Sequence, residues 1–130
     1  MKKQGTKYWH KKCWDLFSKI VRSKNADWRG NVKCYTCGIT KHWKQMQAGH
    51  FKHNHLDFDF DNVHPQCPRC NKFLHGNLDN YATQLVKNYG VNILDELKFK
   101  AGHEKKQTIK DYKQIYEGLQ IIWDLKKTSK

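Results

Sequence analysis

The 130-residue sequence predicts a small mixed α+β protein, and three observations predict it. Apolar residues keep helical spacing near the N-terminus and again from about residue 68 onward. The stretch between, Val32 to Gln66, loses that spacing and carries histidines and aromatic residues in short runs. Two Cys-x-x-Cys pairs, Cys34–Cys37 and Cys67–Cys70, frame that middle stretch. A helix, then a strand-bearing segment, then several helices is the order of an α+β fold rather than of alternating βα units. The length fits one domain, 1–130. Its expected parts are a helix over 8–24, a cysteine-stapled core over 32–76 and a helical extension over 77–130.

In the first helix Trp9, Cys13, Leu16, Phe17, Ile20 and Val21 share one face, while Lys11, Lys12, Lys19 and Arg22 are left for the others. Cys13, among apolar neighbours, reads as a small core residue. Asn25–Asn31 breaks the helix with turn residues. The middle stretch has room for two or three short strands around long loops. A short helix is predicted over Arg69–His75, ended by Gly76. The next puts Leu78, Tyr81, Leu85 and Tyr89 on one stripe and stops at Gly90. A third covers about Asn92–Lys100, with Ile93, Leu94 and Leu97 inward. The last starts at Thr108, where Thr-Ile-Lys-Asp is a capping box. There the Thr108 hydroxyl accepts from the Asp111 amide, and the Asp111 carboxylate accepts from the Thr108 amide. Its stripe is Ile109, Tyr112, Ile115 or Tyr116, Leu119, Ile122 and Trp123.

Only 38% of residues are apolar, and the mean hydropathy is −0.96, so the core is small and a staple is expected. Lys and Arg number 25 against 12 Asp and Glu, a formal net charge of +13. That charge attracts polyanions and makes nucleic acid the expected partner. No run approaches the ~18 apolar residues of a membrane span, and the basic start does not lead into a signal sequence. A reducing cytoplasm is the expected location, where paired cysteines bind metal rather than form disulfides.

Four thiolates from Cys34, Cys37, Cys67 and Cys70 suit tetrahedral Zn²⁺, and four protein ligands leave no open position for chemistry, so this zinc is structural. The gap between the pairs is 29 residues, longer than the ~15–20 of a simple zinc ribbon. It holds His42, His50, His53, His55 and His64, and long loops in compact domains are commonly functional.

Ala48-Gly-His50-Phe, Asn62-Val-His-Pro-Gln-Cys67 and Cys70-Asn71 follow one another in an order that resembles the ββα-metal (HNH) nuclease motif, a treble-clef-like fold. The closer resemblance is to the NinG/Rap family of phage recombination nucleases. It is carried by QAGHF, DNVHPQCPRCN, then GN, Tyr81, Leu85 and YG, and by WDLFSKIVRSKNAD leading into CYTCG, over about residues 9–100. The resemblance implies a phage-encoded endonuclease cutting branched DNA, such as Holliday junctions and D-loops. It also implies that His50 is the base, Asn62 braces the loop, and Asn71 holds a catalytic ion.

Phosphodiester cleavage needs a deprotonated water, relief of phosphate charge and help for the leaving oxygen. A histidine, with a reference pKa of about 6.5, can take the proton near neutral pH, and one hard cation can serve the other two needs. Mg²⁺ or Mn²⁺ fits the oxygen of Asn71. His75, four residues on, could be a second ligand or only a helix-end residue. Many superfamily members place a ligand just before the base, where this chain has Gly49; Asp59, Asp61 and His50 itself are candidates to fill that gap. Asp57 stands where the family leads one to expect a basic residue. His53 and His55 read as solvated loop residues or phosphate contacts, and His64 either packs or touches a phosphate. Other readings are a non-catalytic zinc-stabilised DNA- or RNA-binding module and a general HNH nicking enzyme. A junction resolvase makes two paired cuts, which a homodimer would suit.

Overall fold

The computed structural model describes residues 5–128. In order come α1 (Thr6–Ser23), β1 (Asn31–Lys33), β2 (Thr40–His42), β3 (Gln47–His50), β4 (Val63–Gln66), α2 (Leu78–Tyr89), α3 (Ile93–Gly102) and α4 (Ile109–Thr128). A 3₁₀ turn at Trp43–Gln45 and one wide π-type turn at Arg69–Phe73 complete them. The class is the mixed α+β one expected. The chain divides into two compact units: residues up to Ile20 with those from Lys105 onward, and Val21–Glu104. No helix among the described residues is long and apolar enough to cross a membrane.

In the helical unit the α1 stripe buries Cys13, Leu16, Phe17 and Ile20, and α4 buries Leu119. The Cys13 thiol donates to the Tyr112 carbonyl at 3.1 Å, which joins the two helices and fits a small core residue. The capping box forms as predicted, with the Thr108 amide 2.9 Å from Asp111 Oδ2 and the Asp111 amide 3.2 Å from Thr108 Oγ1. The far end of the stripe departs from expectation, because Ile122 is exposed.

The second unit holds two separate antiparallel hairpins, β1–β2 and β3–β4. Each strand is only three or four residues long, too short for alternation to announce it, so four strands stand where the sequence suggested two or three. Gln47 faces Gln66 and His50 faces Val63 across β3–β4. Two small apolar clusters support this frame. Val32, Cys34, Met46, Cys67 and Cys70 form one, and Tyr81, Leu85, Ile93 and Leu97 form the other. The predicted helix over Arg69–His75 is shorter and wider. The Leu74 amide reaches back to Arg69 O at 2.9 Å and the Gly76 amide to Cys70 O at 2.8 Å. His75, Gly76 and Asn77 then turn at φ of 51°, 94° and 48°, which no right-handed helix continues through.

Candidate active site and metal centre

Cys34 and Cys37 sit on the turn joining β1 to β2; Cys67 and Cys70 flank the entry to the wide helical turn. The knuckle is closed by the Cys34 amide to Ile39 O at 2.8 Å and the Gly38 amide to Cys34 O at 2.9 Å. Gly38 takes the expected left-handed conformation, φ 80°. All four Sγ atoms lie within 4.8 Å of one another, with Cys37 and Cys67 Sγ 3.7 Å apart. Tetrahedral zinc with bonds of ~2.3 Å holds its sulfurs ~3.8 Å apart, so the donor set fits that ion. Burial opposes ionisation of Cys34, but the Thr36 hydroxyl and surrounding backbone amides together outweigh it and bring the thiol down to about 6. Burial and the neighbouring sulfurs push Cys37 up to about 12. Thiols this close compete for one negative charge unless a cation balances them all.

His50 ends β3, at the mouth of the loop that leads to β4. Its Nε2 lies 2.9 Å from Asp57 Oδ1, an ion-pair distance rather than an aligned hydrogen bond. The side chains are 18% and 28% exposed, so the pair is partly sheltered yet reachable from solvent. The loop is held from within by Asn62, which is fully buried. Its Oδ1 accepts from the Lys52 amide at 2.8 Å, and its Nδ2 donates to the carbonyls of Lys52, His55 and Leu56 at 3.2–3.3 Å. One side chain thereby gathers both arms of the loop, the geometry of a brace. The His53 ring centroid lies 6.2 Å from that of His50. Sequence reasoning passed over two members of this group. Asp57 drew notice only as a departure from the family pattern, and His53 only as a solvated loop residue or phosphate contact.

Gly49 has a packing reason. The Gln66 amide fills the space above it, and a Cβ there would overlap Gln66 Oε1 and lie 2.6 Å from its Cδ. Gln66 is itself fully buried, its Nε2 donating to Gly76 O at 2.8 Å and Thr36 Oγ1 at 3.1 Å. A ligand-bearing side chain at position 49 would therefore have to displace the residue that ties the Cys34–Cys37 knuckle to the turn after Phe73. Gly49→Ala is expected to cost about 1–3 kcal/mol through overpacking; urea unfolding at fixed zinc occupancy measures it.

The remaining candidates separate. Asn71 lies on the wide turn, where Nδ2 donates to Gln47 Oε1 at 2.8 Å and leaves the amide oxygen as the atom a hard cation would take. His75 lies beyond that turn, exposed and at φ 51°, so the helical spacing meant to align it with Asn71 is absent. Asp59 and Asp61 face Lys100, at 3.3 and 4.0 Å. Among the described residues the four cysteines are the one His/Cys/Asp/Glu group of three or more with metal-binding spacing, so Asp59, Asp61 and His50 do not assemble into such a cluster. His64 packs: it stacks on Tyr35 with centroids 3.9 Å apart and pairs with the Tyr81 and Tyr89 hydroxyls, each at 3.0 Å. Burial, with Lys24 adding to it, lowers its pKa to about 3, so the ring stays neutral. The Tyr81 hydroxyl also reaches Gly49 O at 2.7 Å, fixing the strand just before His50. His55 pairs with Glu104 at 3.3 Å.

A family model described as "Bacteriophage Lambda NinG protein" matches residues 1–128. The chain belongs to the NinG family. Its relatives include the protein ninG of Salmonella phage P22, 32% identical over 94 residues, covering 69% of this chain and 44% of the relative. The protein ninG of Escherichia phage lambda is 30% identical over 113 residues, covering 83% of this chain and 52% of the relative. This NinG-family chain thus spans about half the length of the curated relatives it matches. No solved structure matches it.

Proposed function

We propose that this NinG-family chain is a metal-dependent DNA endonuclease that cuts branched recombination intermediates such as Holliday junctions and D-loops. The observation that carries the reading is His50 held against Asp57 in a loop braced by Asn62. That loop is followed by β4 and the wide turn bearing Asn71, all clipped by four cysteines. Strand, braced loop, strand and helical turn occur in the order of a ββα-metal nuclease core.

In this reading the Asp57 carboxylate, 2.9 Å from Nε2, favours the neutral ring with its proton on that nitrogen, so that Nδ1 takes the proton from the attacking water. Asn62 acts through the loop, keeping His50 and Asp57 in register. Asn71 offers its amide oxygen to a divalent ion. When bound, such an ion supplies charge relief at the phosphate and at the leaving oxygen. Zinc at the cysteines holds the β1–β2 turn to the wide turn and does no chemistry. The net charge of +13 supplies non-specific attraction to DNA.

The deciding experiment is a cleavage assay with Mg²⁺ or Mn²⁺ on linear, forked and four-way DNA of matched sequence. Preferential cutting of the branched substrates is expected. Binding of all three without cutting would point to a zinc-stabilised binding module, and equal cutting of all three to a general nuclease. Omitting Mg²⁺ and Mn²⁺ is expected to stop cutting while elemental analysis still finds one zinc per chain. Cutting that persists in their absence would count against the ion's role.

A further inference from the structure

Resting on the DNA reading above, we propose that the α1–α4 pair carries a separate site for an unpaired DNA strand, at a pocket lined by Lys12, Lys19, Tyr116, Trp123 and Lys127. The pocket encloses about 280 Å³ and lies wholly within the helical unit. Its walls come from two regular stripes. Lys12, Asp15, Leu16 and Lys19 rise along α1, and Tyr116, Gln120, Trp123 and Lys127 along α4. Steps of three and four residues keep each set on one helix face.

The chemistry of these walls is that of a single-strand binder. Aromatic rings offer stacking surfaces that accept any base, and ammonium groups beside them meet the phosphates. Lys12 Nζ lies 4.7 Å from the Tyr116 ring centroid, and Lys127 Nζ lies 5.7 Å from that of Trp123. Each ring therefore already has a cation over it, and the two rings are two turns apart, about 10.5 Å along the axis. Leu16 supplies an apolar surface and Gln120 a neutral hydrogen-bonding group. The surroundings agree in sign: residues 5–20 and 105–128 carry ten lysines against four acidic residues. A paired duplex hides its base faces, so only unpaired bases can use the rings, as they occur beside a branch point.

The test uses the full-length, zinc-loaded chain without Mg²⁺ or Mn²⁺, and a labelled oligo-dT strand beside a blunt duplex of equal length. The wild-type chain should bind oligo-dT with quenching of tryptophan fluorescence. Trp123→Leu, which keeps apolar bulk and removes the ring, should weaken oligo-dT binding about tenfold and change duplex binding less than twofold. Lys127→Gln should weaken oligo-dT binding and flatten its salt dependence. Oligo-dT affinity unchanged in a Trp123→Leu chain of native far-UV circular dichroism would overturn the proposal. So would a tenfold preference for oligo-rU. The outcome is separable from the nuclease reading: a chain that binds oligo-dT through Trp123 but cuts nothing keeps this site and loses that activity, and the converse result does the reverse.

Discussion

His50→Ala is expected to lower DNA cleavage by at least about a hundredfold, within the range a general base contributes, while DNA affinity and zinc content stay at wild-type values. The separation follows from geometry. His50 sits at the end of β3 with its ring against Asp57, whereas the cysteines are fixed by other turns of the chain. The fold should tolerate the loss, because Asn62 and its four hydrogen bonds hold the loop. A thermal melt within a few degrees of wild type would establish that the variant is folded. Asp57→Asn keeps the side-chain volume but removes the charge that orients Nε2, and its loss should be smaller than that of His50→Ala. Cleavage by folded His50→Ala at the wild-type rate would remove the proposed mechanism. Equal losses in DNA affinity and cleavage would make His50 a phosphate contact instead.

What the sequence disclosed depended on how local each signal was. The capping box at Thr108 and Asp111, the glycine of the Cys34–Cys37 knuckle and the inward positions Tyr81, Leu85, Ile93 and Leu97 were legible, because each rests on residues within a few positions of one another; Leu78 and Tyr89, at the two ends of the α2 stripe, are exposed instead. The cysteine quartet was legible across its long gap because two Cys-x-x-Cys pairs match the donor set of one tetrahedral ion. Position 49 was not. The reason for its glycine lies across the hairpin in Gln66, and no local pattern announces a side chain arriving from the opposite strand. His64 stayed ambiguous for the same reason, since Tyr35 reaches it from the Cys34–Cys37 knuckle and Tyr81 and Tyr89 from α2. The wide turn at Arg69–Phe73 was read as an ordinary helix, because the bond from Leu74 back to Arg69 leaves no mark on apolar spacing. His75 lost its expected alignment with Asn71 through that single change of winding. Asp57 was visible as an exception to the family pattern, and its meaning came only from the folded loop that carries it to His50.

Cys67→Ala is expected to have the largest effect on structure, abolishing zinc binding at micromolar metal and with it the cooperative unfolding of Val21–Glu104. Structural zinc contributes on the order of 10–16 kcal/mol of apparent binding free energy at neutral pH, comparable to the whole stability of a small domain. The surrounding core has little to offset that loss. Of the five buried residues in the cluster around the site, three are the candidate ligands Cys34, Cys67 and Cys70, so losing a bound ion would also remove what holds their cluster together. The consequence should spread to the candidate catalytic residues by covalent proximity. Cys67 follows Gln66, whose amide packs over Gly49, and its carbonyl accepts from the Asn71 amide at 3.0 Å. Cleavage should therefore disappear together with the cooperative melt of this unit, whereas His50→Ala removes cleavage alone. Elemental analysis, circular dichroism and the cleavage assay on one preparation separate the two variants. A Cys67→Ala chain that melts cooperatively and cuts at the wild-type rate would show that the quartet is dispensable. Thr36→Val offers a milder probe, since its hydroxyl contacts both Cys34 Sγ at 3.4 Å and Gln66 Nε2 at 3.1 Å. That variant should keep zinc while losing about 1–3 kcal/mol, because one N–H of the buried Gln66 amide loses its acceptor while the amide still donates to Gly76 O.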